Sequence, residues 1–305
     1  MMNLMQIGKA QNKLRVTSCE LRVYPWFVVC FLFLINNTFA NDSIIFQQKN
    51  TLLITENHQP FIKDSIVIQQ ASKYVTTDKL GQIYIVNAND ELIKYNAQGQ
   101  EQFVYFDRTL GEISLIDATN PFQILVFFEG FQMVVWLDRT LNPISKTSFS
   151  DFGFFQINTL SVASDNRIWI YDNTTFQIKK VDNQGNVITE SLELNNITNN
   201  LYPNFIIEKN NRIYLNNPET GILVFDNFGQ HIETIPITNL TNFQIIDNQL
   251  WYQWKSEFRS YHFKTLETQT IDLPFQVETN QAIFKQKNNW YWVKLEEILI
   301  FKLKN

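Results

Sequence analysis

Hydrophobic and polar residues alternate over short distances along most of this chain. After residue 40, short apolar runs are separated by turns rich in Asn, Asp, Gly and Pro, and no segment shows sustained helical spacing. Apolar runs bounded by such residues are typical of β-strands and tight turns. The pattern therefore predicts an all-β protein.

Two sequence signatures recur at intervals of roughly forty residues. The first is an apolar residue followed by an aromatic one just after a polar turn, as in Ile168-Trp169 and Ile213-Tyr214. The second follows about a dozen residues later and is an Asp or Asn, two further residues and a Gly, as in Asp182–Gly185. Asp or Asn at the first position of a type I turn accepts backbone hydrogen bonds, and Gly at the fourth adopts the left-handed conformation. Each second signature therefore predicts a hairpin between antiparallel strands.

Together the signatures divide the chain into six units of four short strands. The predicted units are residues 71–106, 111–149, 158–194, 201–237, 240–275 and 280–303. The sixth unit lacks a fourth strand, and Asp64–Gln69 resembles the fourth strands of the other units. This repeat predicts an all-β fold, a six-bladed β-propeller with four-stranded antiparallel blades, whose ring is closed by the N-terminal strand. A sandwich is less favoured because it has no reason to repeat one hairpin signature six times, and a solenoid because it needs a shorter coil and no antiparallel hairpins.

The segment from Asp165 to Gly185 resembles an NHL-type repeat in its order of polar turn, apolar-aromatic strand, short loop, second strand and Asp-x-x-Gly turn. Residues 64–305 as a whole resemble a six-bladed propeller of the NHL/TolB-like kind. The resemblance implies a fold and no particular activity. It is incomplete, since glycine is sparse and the second and fifth units lack the turn glycine.

The first forty residues differ from the rest of the chain. Basic residues precede an apolar run from Trp26 to Ile35, and Thr38-Phe39-Ala40 has the small residues of a cleavage site. These features predict a signal peptide over residues 1–40, an N-terminal peripheral segment over residues 41–63 and the propeller over residues 64–305. The apolar run is much shorter than the roughly 20 residues of a spanning helix, so no transmembrane segment is predicted in the mature chain. The expected location is periplasmic, envelope-associated or secreted, and an uncleaved N-terminal anchor is the alternative.

Charge and cysteine content also change after the predicted leader. The chain has a formal net charge of -5, and residues 1–40 carry four basic residues and one acidic residue, which leaves -8 for the remainder. An acidic domain without a basic run is poorly suited to binding nucleic acid. Cys19 and Cys30 both lie in the leader, so neither a disulfide nor thiol chemistry is predicted for the mature chain.

Two groups of residues fall on one face of the predicted propeller. This loop face consists of the connections from each fourth strand to the next first strand and from each second strand to the third. An aromatic patch for a partner is predicted at Phe152, Phe154 and Phe155, and packing of these rings between blades is the alternative. A polar ligand site is predicted at Glu112, Asn158, Asn204, Asn242 and Asn280. In the alternative, each amide of this second group satisfies backbone groups of the loops.

The sequence contains no HExxH, GxSxG or P-loop motif, and its three histidines lie in different contexts. No catalytic residue, metal or cofactor is therefore predicted. The sequence favours an exported, non-catalytic propeller that binds a protein or a cell-surface polymer on its loop face, as a scaffold in the cell envelope. The alternative is a metal-dependent lactonase or lyase with ligands in the central channel, for which Glu112 is a candidate ligand.

Overall fold

A computed structural model describes residues 62–303 of the chain, apart from residues 274 and 279. The predicted signal peptide, the cysteines, His58 and nearly all of the peripheral segment lie outside the described residues. The helical segments of the described part are single 3-10 turns at Glu129–Phe131, Ser150–Phe152 and Leu194–Asn196. No helix between residues 62 and 303 has the length and apolarity needed to cross a membrane.

Within the described residues, six antiparallel sheets of four strands each form the six blades. Blade 1 contains β2 (Tyr74–Thr77), β3 (Ile83–Val86), β4 (Leu92–Tyr95) and β5 (Glu101–Tyr105). Blade 2 contains β6 (Leu115–Asp117), β7 (Gln123–Phe128), β8 (Met133–Asp138) and β9 (Pro143–Ser148). Blade 3 contains β10 (Ile157–Val162), β11 (Ile168–Asp172), β12 (Gln177–Val181) and β13 (Val187–Glu190).

The other three blades follow the same plan. Blade 4 contains β14 (Phe205–Lys209), β15 (Arg212–Asn217), β16 (Gly221–Asp226) and β17 (His231–Ile235). Blade 5 contains β18 (Gln244–Ile246), β19 (Gln249–Trp254), β20 (Glu257–His262) and β21 (Thr268–Ile271). Blade 6 contains β22 (Ala282–Gln286), β23 (Asn289–Val293) and β24 (Ile298–Leu303), with β1 (Ile62–Ile68) as its fourth strand. The predicted six-bladed propeller is confirmed.

Closure of the ring by the N-terminal strand is also confirmed. Strand β1 pairs antiparallel with β24, with Ile66 opposite Ile300 and Ile68 opposite Ile298. The last blade thus combines the two ends of the described chain. Pairing with β1 removes the sheet edge that β24 would otherwise expose.

The hydrophobic core is divided into six clusters, one between each pair of neighbouring blades. Between blades 2 and 3, for example, Phe127 and Trp136 pack against Leu160 and Ile170. The cluster that closes the ring contains Ile68 of β1 together with residues of blades 1 and 6. Each blade is therefore buried against its neighbours and has little core of its own.

The repeated hairpin signature forms the predicted turns. Asp182 Oδ1 accepts hydrogen bonds from the backbone N–H groups of Gln184 and Asn186, both at 2.9 Å, and Gly185 has a φ of +81°. In blade 2, which lacks this glycine, Leu141 takes the left-handed conformation with a φ of +62°. In blade 5 the repeat spacing places the turn at Lys264, but the turn begins two residues earlier, at His262. Nδ1 of His262 accepts two backbone hydrogen bonds there.

These turn glycines also allow neighbouring blades to approach closely. A Cβ atom at Gly99 would lie 2.6 Å from Cγ2 of Ile66 in the preceding blade, and one at Gly185 would overlap the Phe152 ring. At Gly229 the nearest atoms, at 3.0 Å, belong to the backbone of Glu190 and Ser191. The glycine thus serves both the turn and the contact between blades.

The packing of β1 leads to a stability prediction. Ile68 is 4% exposed in the ring-closing cluster, whereas its neighbour Val67 is 40% exposed. We expect Ile68→Ala to lower the free energy of unfolding by about 2–5 kcal/mol, because it removes buried apolar volume, and Val67→Ala to change it by less than about 0.5 kcal/mol. Urea unfolding of both variants measures the difference. Equal effects would contradict a closure that depends on Ile68.

Candidate functional site

An open cleft of about 530 Å³ lies on the loop face between blades 2 and 3. It is formed by the connections β5–β6 and β9–β10 together with the β7–β8 turn. The residues that matter for its chemistry are Glu112, Glu129, Phe131, Gln132, Phe155 and Asn158. We call this site the blade 2–3 cleft.

Gln132 holds the two walls of the cleft together. Its side-chain oxygen accepts a hydrogen bond from Ile157 N at 2.7 Å, and its Nε2 donates to Ile157 O at 2.9 Å and to Glu129 O at 2.8 Å. Gln132 is buried and has a φ of +48°, which ends the short turn that carries Glu129 and Phe131. The turn of blade 2 is thereby fixed to the first strand of blade 3. A site held in this way needs little ordering when a ligand binds.

Two exposed aromatic rings line the cleft. Phe155 is 63% exposed and Phe131 is 55% exposed. The Phe131 ring lies against Gly111, where an added Cβ would be in ordinary contact at 3.4 Å. Exposed aromatic side chains held on a rigid scaffold are frequent anchors for partners.

The two carboxylates of the cleft differ in their surroundings. Glu112 forms an ion pair with Lys73 at 3.2 Å, and Lys73 also contacts Asp90 at 2.9 Å. In the described part of the chain, no basic side chain lies within salt-bridge distance of the Glu129 carboxylate. Partial burial disfavours its charged form and raises the pKa of Glu129. The cleft therefore contains one carboxylate that shares Lys73 with Asp90 and one, Glu129, that has no such counterpart among the described residues.

Asn158 connects the cleft to blade 4. Its Nδ2 donates to Pro203 O at 2.5 Å, and its Oδ1 is buried without a hydrogen-bond partner among the described residues. Asn204 makes a similar bridge, since its Nδ2 donates to Leu240 O at 3.3 Å and its Oδ1 accepts from Asn216 Nδ2 at 2.6 Å. Both amides thus satisfy backbone carbonyls in the connection to the next blade.

The remaining predicted polar residues do not join this cleft. Asn242 is exposed in the connection before β18, and Asn280 is exposed beside a second, shallower depression near Glu297. The structure therefore brings together Glu112 and Asn158 and leaves Asn204, Asn242 and Asn280 apart from them.

The three predicted phenylalanines have different environments. Phe155 is exposed in the cleft, whereas Phe154 is 6% exposed and packs edge-on against Phe149, with 6.1 Å between ring centroids. Phe152 is 37% exposed, and its ring rests on Gly185 of the next blade. Of the three rings, Phe155 is thus the one most available to a partner.

A buried ion pair supports the wall behind Phe154. Lys179 Nζ lies 2.7 Å from Asp172 Oδ2 and 5.7 Å from the centre of the Phe154 ring. Burial by itself would raise the pKa of Asp172, but the hydrogen bonds from Lys179, Thr174 and Thr175 outweigh it, so the pKa lies below its ordinary value. Asp172 also fixes the loop that begins at Asn173, which lines the cleft.

The connections of the two propeller faces differ in charge. Those of the loop face carry twelve acidic and four basic residues, a formal charge of -8. The acidic residues are Asp90, Glu91, Asp107, Glu112, Glu129, Asp151, Glu193, Glu219, Asp272, Glu278, Glu296 and Glu297, and the basic ones are Lys73, Arg108, Lys255 and Lys294. The connections of the opposite face carry five of each. These are Asp78, Asp165, Asp182, Asp247 and Glu267 with Lys79, Arg139, Arg167, Lys264 and Lys287.

Sequence reasoning missed Glu129, Phe131 and Gln132. They lie in the β7–β8 turn of blade 2, the blade in which both repeat signatures are degenerate. The available signal was their position, because a turn between second and third strands belongs to the loop face.

No protein-family model matches the sequence, and no curated protein matches it significantly. Solved structures with the same fold do match. A catalytically inactive virginiamycin B lyase from Staphylococcus aureus, solved with quinupristin, has a TM-score of 0.57 and 12% identity over 79% of this chain and 100% of that chain. The BBS1N propeller, solved in complex with ARL6DN, has a TM-score of 0.53 and 11% identity over 80% of this chain and 97% of that chain.

A third similar structure is the extracellular domain of a one-component system from B. thetaiotaomicron. It has a TM-score of 0.51 and 13% identity over 76% of this chain and 33% of that chain. Identities this low show a shared propeller fold and leave the function to be argued from the site.

The Asp172–Lys179 pair leads to a second prediction. Asp172→Asn keeps an acceptor for Thr174 but leaves Lys179 without its counter-charge, so we expect a loss of about 3 kcal/mol in stability at pH 7. Folding lowers the pKa of Asp172. The wild type is therefore more stable than the variant above the unfolded-state pKa near 4, and this difference in the free energy of unfolding disappears as the pH falls through the lower pKa of the folded state. Urea unfolding at several pH values measures this trend.

Asp151→Asn is the matched control for this experiment. Asp151 is exposed in the same region of the loop face, and no basic side chain of the described residues lies within salt-bridge distance of it. We expect Asp151→Asn to change the free energy of unfolding by less than about 0.5 kcal/mol. A destabilisation of Asp172→Asn that stayed constant down to strongly acidic pH would contradict the charged pair.

Proposed function

We propose that the chain is an exported, non-catalytic β-propeller that binds a protein or a cell-surface polymer through its loop face, as a scaffold in the cell envelope. The observation that carries the proposal is the blade 2–3 cleft, where two exposed phenylalanines and two carboxylates line one concave surface. The hydrogen bonds of Gln132 support this reading, because they make the cleft rigid before any ligand arrives.

Similar structures support the binding part of this proposal by analogy. BBS1N was solved with a protein bound, and another similar propeller is an extracellular domain. The similarity to virginiamycin B lyase favours a lyase activity instead. In the alternative predicted from the sequence, a metal-dependent lactonase or lyase, this activity depends on a metal in the central channel. That alternative has less support from the residues, because Glu112, its candidate ligand, is paired with Lys73. Among the described residues, no three His, Cys, Asp or Glu side chains form a group that could hold a metal ion.

The binding proposal predicts that the cleft aromatics are needed to retain a partner. We expect the full chain carrying Phe131→Ser and Phe155→Ser to lose the proteins or polymers that cross-link to the wild type in the envelope of the producing cell. The expected loss is about tenfold or more, because exposed aromatic anchors contribute a large share of binding energy. Quantitative mass spectrometry and glycan analysis of the cross-linked material measure this loss.

Phe122→Ser and Phe228→Ser provide the matched control. These rings are 58% and 74% exposed in connections of the opposite face. The control should keep its partners, and both double variants should unfold at the wild-type temperature. Identical partners for the cleft variant and the wild type would refute this use of the cleft.

The export part of the proposal has its own test. We expect the chain recovered from outside the cytoplasm to begin at Asn41, because Thr38 and Ala40 are the residues at positions minus three and minus one of the predicted cleavage site. N-terminal peptide mapping of that fraction measures the mature start. An intact leader on a cytoplasmic chain would contradict export and would leave the binding test unaffected.

A further inference from the structure

The charge of the loop face is not required by the propeller fold. The connections of the opposite face have no net formal charge, whereas those of the loop face carry -8. Apolar exposure does not separate the faces in this way, because Leu80, Phe122 and Phe228 on the opposite face are as exposed as Phe131 and Phe155. Charge is therefore the property that distinguishes the face containing the cleft.

The cleft places two of these twelve carboxylates, Glu112 and Glu129, beside exposed apolar surface. Glu129 follows β7 directly, and Phe131, two residues later in the same turn, is more than half exposed. Glu112 and Phe155 line the same cleft from the two connections that flank blade 2. A Lys or Arg side chain has the complementary form, since its apolar stem packs on aromatic rings and its charged end pairs with carboxylates.

Glu129 is the group that such a ligand would complete. Its carboxylate is partly removed from water, which raises its pKa, and no basic side chain of the described residues is within salt-bridge distance. An ammonium or guanidinium group placed beside it would stabilise its charged form. Glu112 is already shared with Lys73, so it contributes less new pairing and more to the local field.

We propose that the blade 2–3 cleft recognises a basic polypeptide, with a Lys or Arg side chain set between Phe131 and Phe155 and paired with Glu129. This inference rests on the proposed binding function and specifies the chemistry of the partner. The wider acidic loop face steers the partner toward the cleft and pairs with further basic residues along it. An uncharged glycan could stack on the two rings, but it would leave the acidic surface without a counterpart.

The test is binding of two probes to the full chain. The first is a fluorescent peptide of alternating leucine and arginine residues. The second is chitohexaose, an uncharged oligosaccharide that can stack on aromatic rings. We expect the peptide to bind with an affinity that falls as salt rises from 50 to 500 mM, because screening weakens exposed charge pairs. We expect no saturable binding of chitohexaose at the same protein concentrations.

Matched charge variants locate the peptide. Glu112→Gln with Glu129→Gln should weaken peptide binding about tenfold, since the pair with Glu129 is lost and the negative charge of Glu112 no longer adds to the local field. Asp247→Asn with Glu267→Gln makes the same change in net charge on the opposite face and should weaken binding less than twofold. Equal losses in the two double variants would show general attraction to an acidic protein and would overturn the assignment to the cleft.

Phe131→Ser with Phe155→Ser separates this inference from the proposed function. If that variant loses its envelope partner and the wild type does not bind the basic peptide, the proposed binding function of the cleft stands and the inference of a basic ligand fails. Binding of chitohexaose that depends on both phenylalanines and on neither glutamate would assign a glycan instead, and would also overturn the inference. Peptide binding lost in both the aromatic and the glutamate variants is the supporting result.

Discussion

The contact between neighbouring blades is the constraint on which the rest of this structure depends. The six core clusters lie between blades, so no blade can bury its apolar faces without a blade on either side. Such an arrangement is complete only as a closed ring. The pairing of β1 with β24 supplies the last contact, and Ile68 extends it into the cluster between blades 6 and 1. Ring closure therefore supports every inter-blade feature, including the cleft.

The same contacts explain why the cleft is well defined although it is built from connections. Two neighbouring rings anchor the loop that carries Phe155. The Phe152 ring rests on Gly185, and the Phe154 ring packs between Phe149 and Lys179. The opposite wall is tied to β10 through Gln132. The aromatic residues that pack between blades thus place their exposed neighbour, and burial of Phe154 and exposure of Phe155 are two parts of one arrangement.

The fold could be predicted from sequence because turn chemistry repeats with the blade. Asp182 and Gly185 occupy positions whose backbone geometry favours those residue types, and the same Asp/Asn-x-x-Gly turn recurs in blades 1, 3 and 4. The lining of the candidate cleft could be predicted only in part. Glu112, Asn158 and Phe155 were selected for their place on the loop face and do line the cleft, and their role in binding stays a prediction. Phe154 and Phe155 are identical in sequence terms, and only the packing of blade 3 distinguishes them.

The residues that sequence reasoning missed belong to the site and not to the repeat. Glu129 and Phe131 belong to neither repeat signature, so only their position in a turn between a second and a third strand could have indicated them. Acidic residues can be divided in the same way, although not strictly by face, since Asp107 on the loop face accepts a hydrogen bond from Thr109 N. Asp78, Asp165 and Asp182 on the opposite face each accept a backbone hydrogen bond of their own turn.

Several loop-face carboxylates have no such structural role. Those of Glu129, Glu193 and Glu219 accept no hydrogen bond from other described residues. A carboxylate that stabilises a turn is explained by the fold, whereas twelve acidic residues gathered on one face include many that the fold does not use. Mutual repulsion among them opposes folding. Two of the twelve, Glu112 and Glu129, line the cleft, and the others are spread over the connections of the loop face. The proposed basic partner would bring the counter-charge that offsets this repulsion.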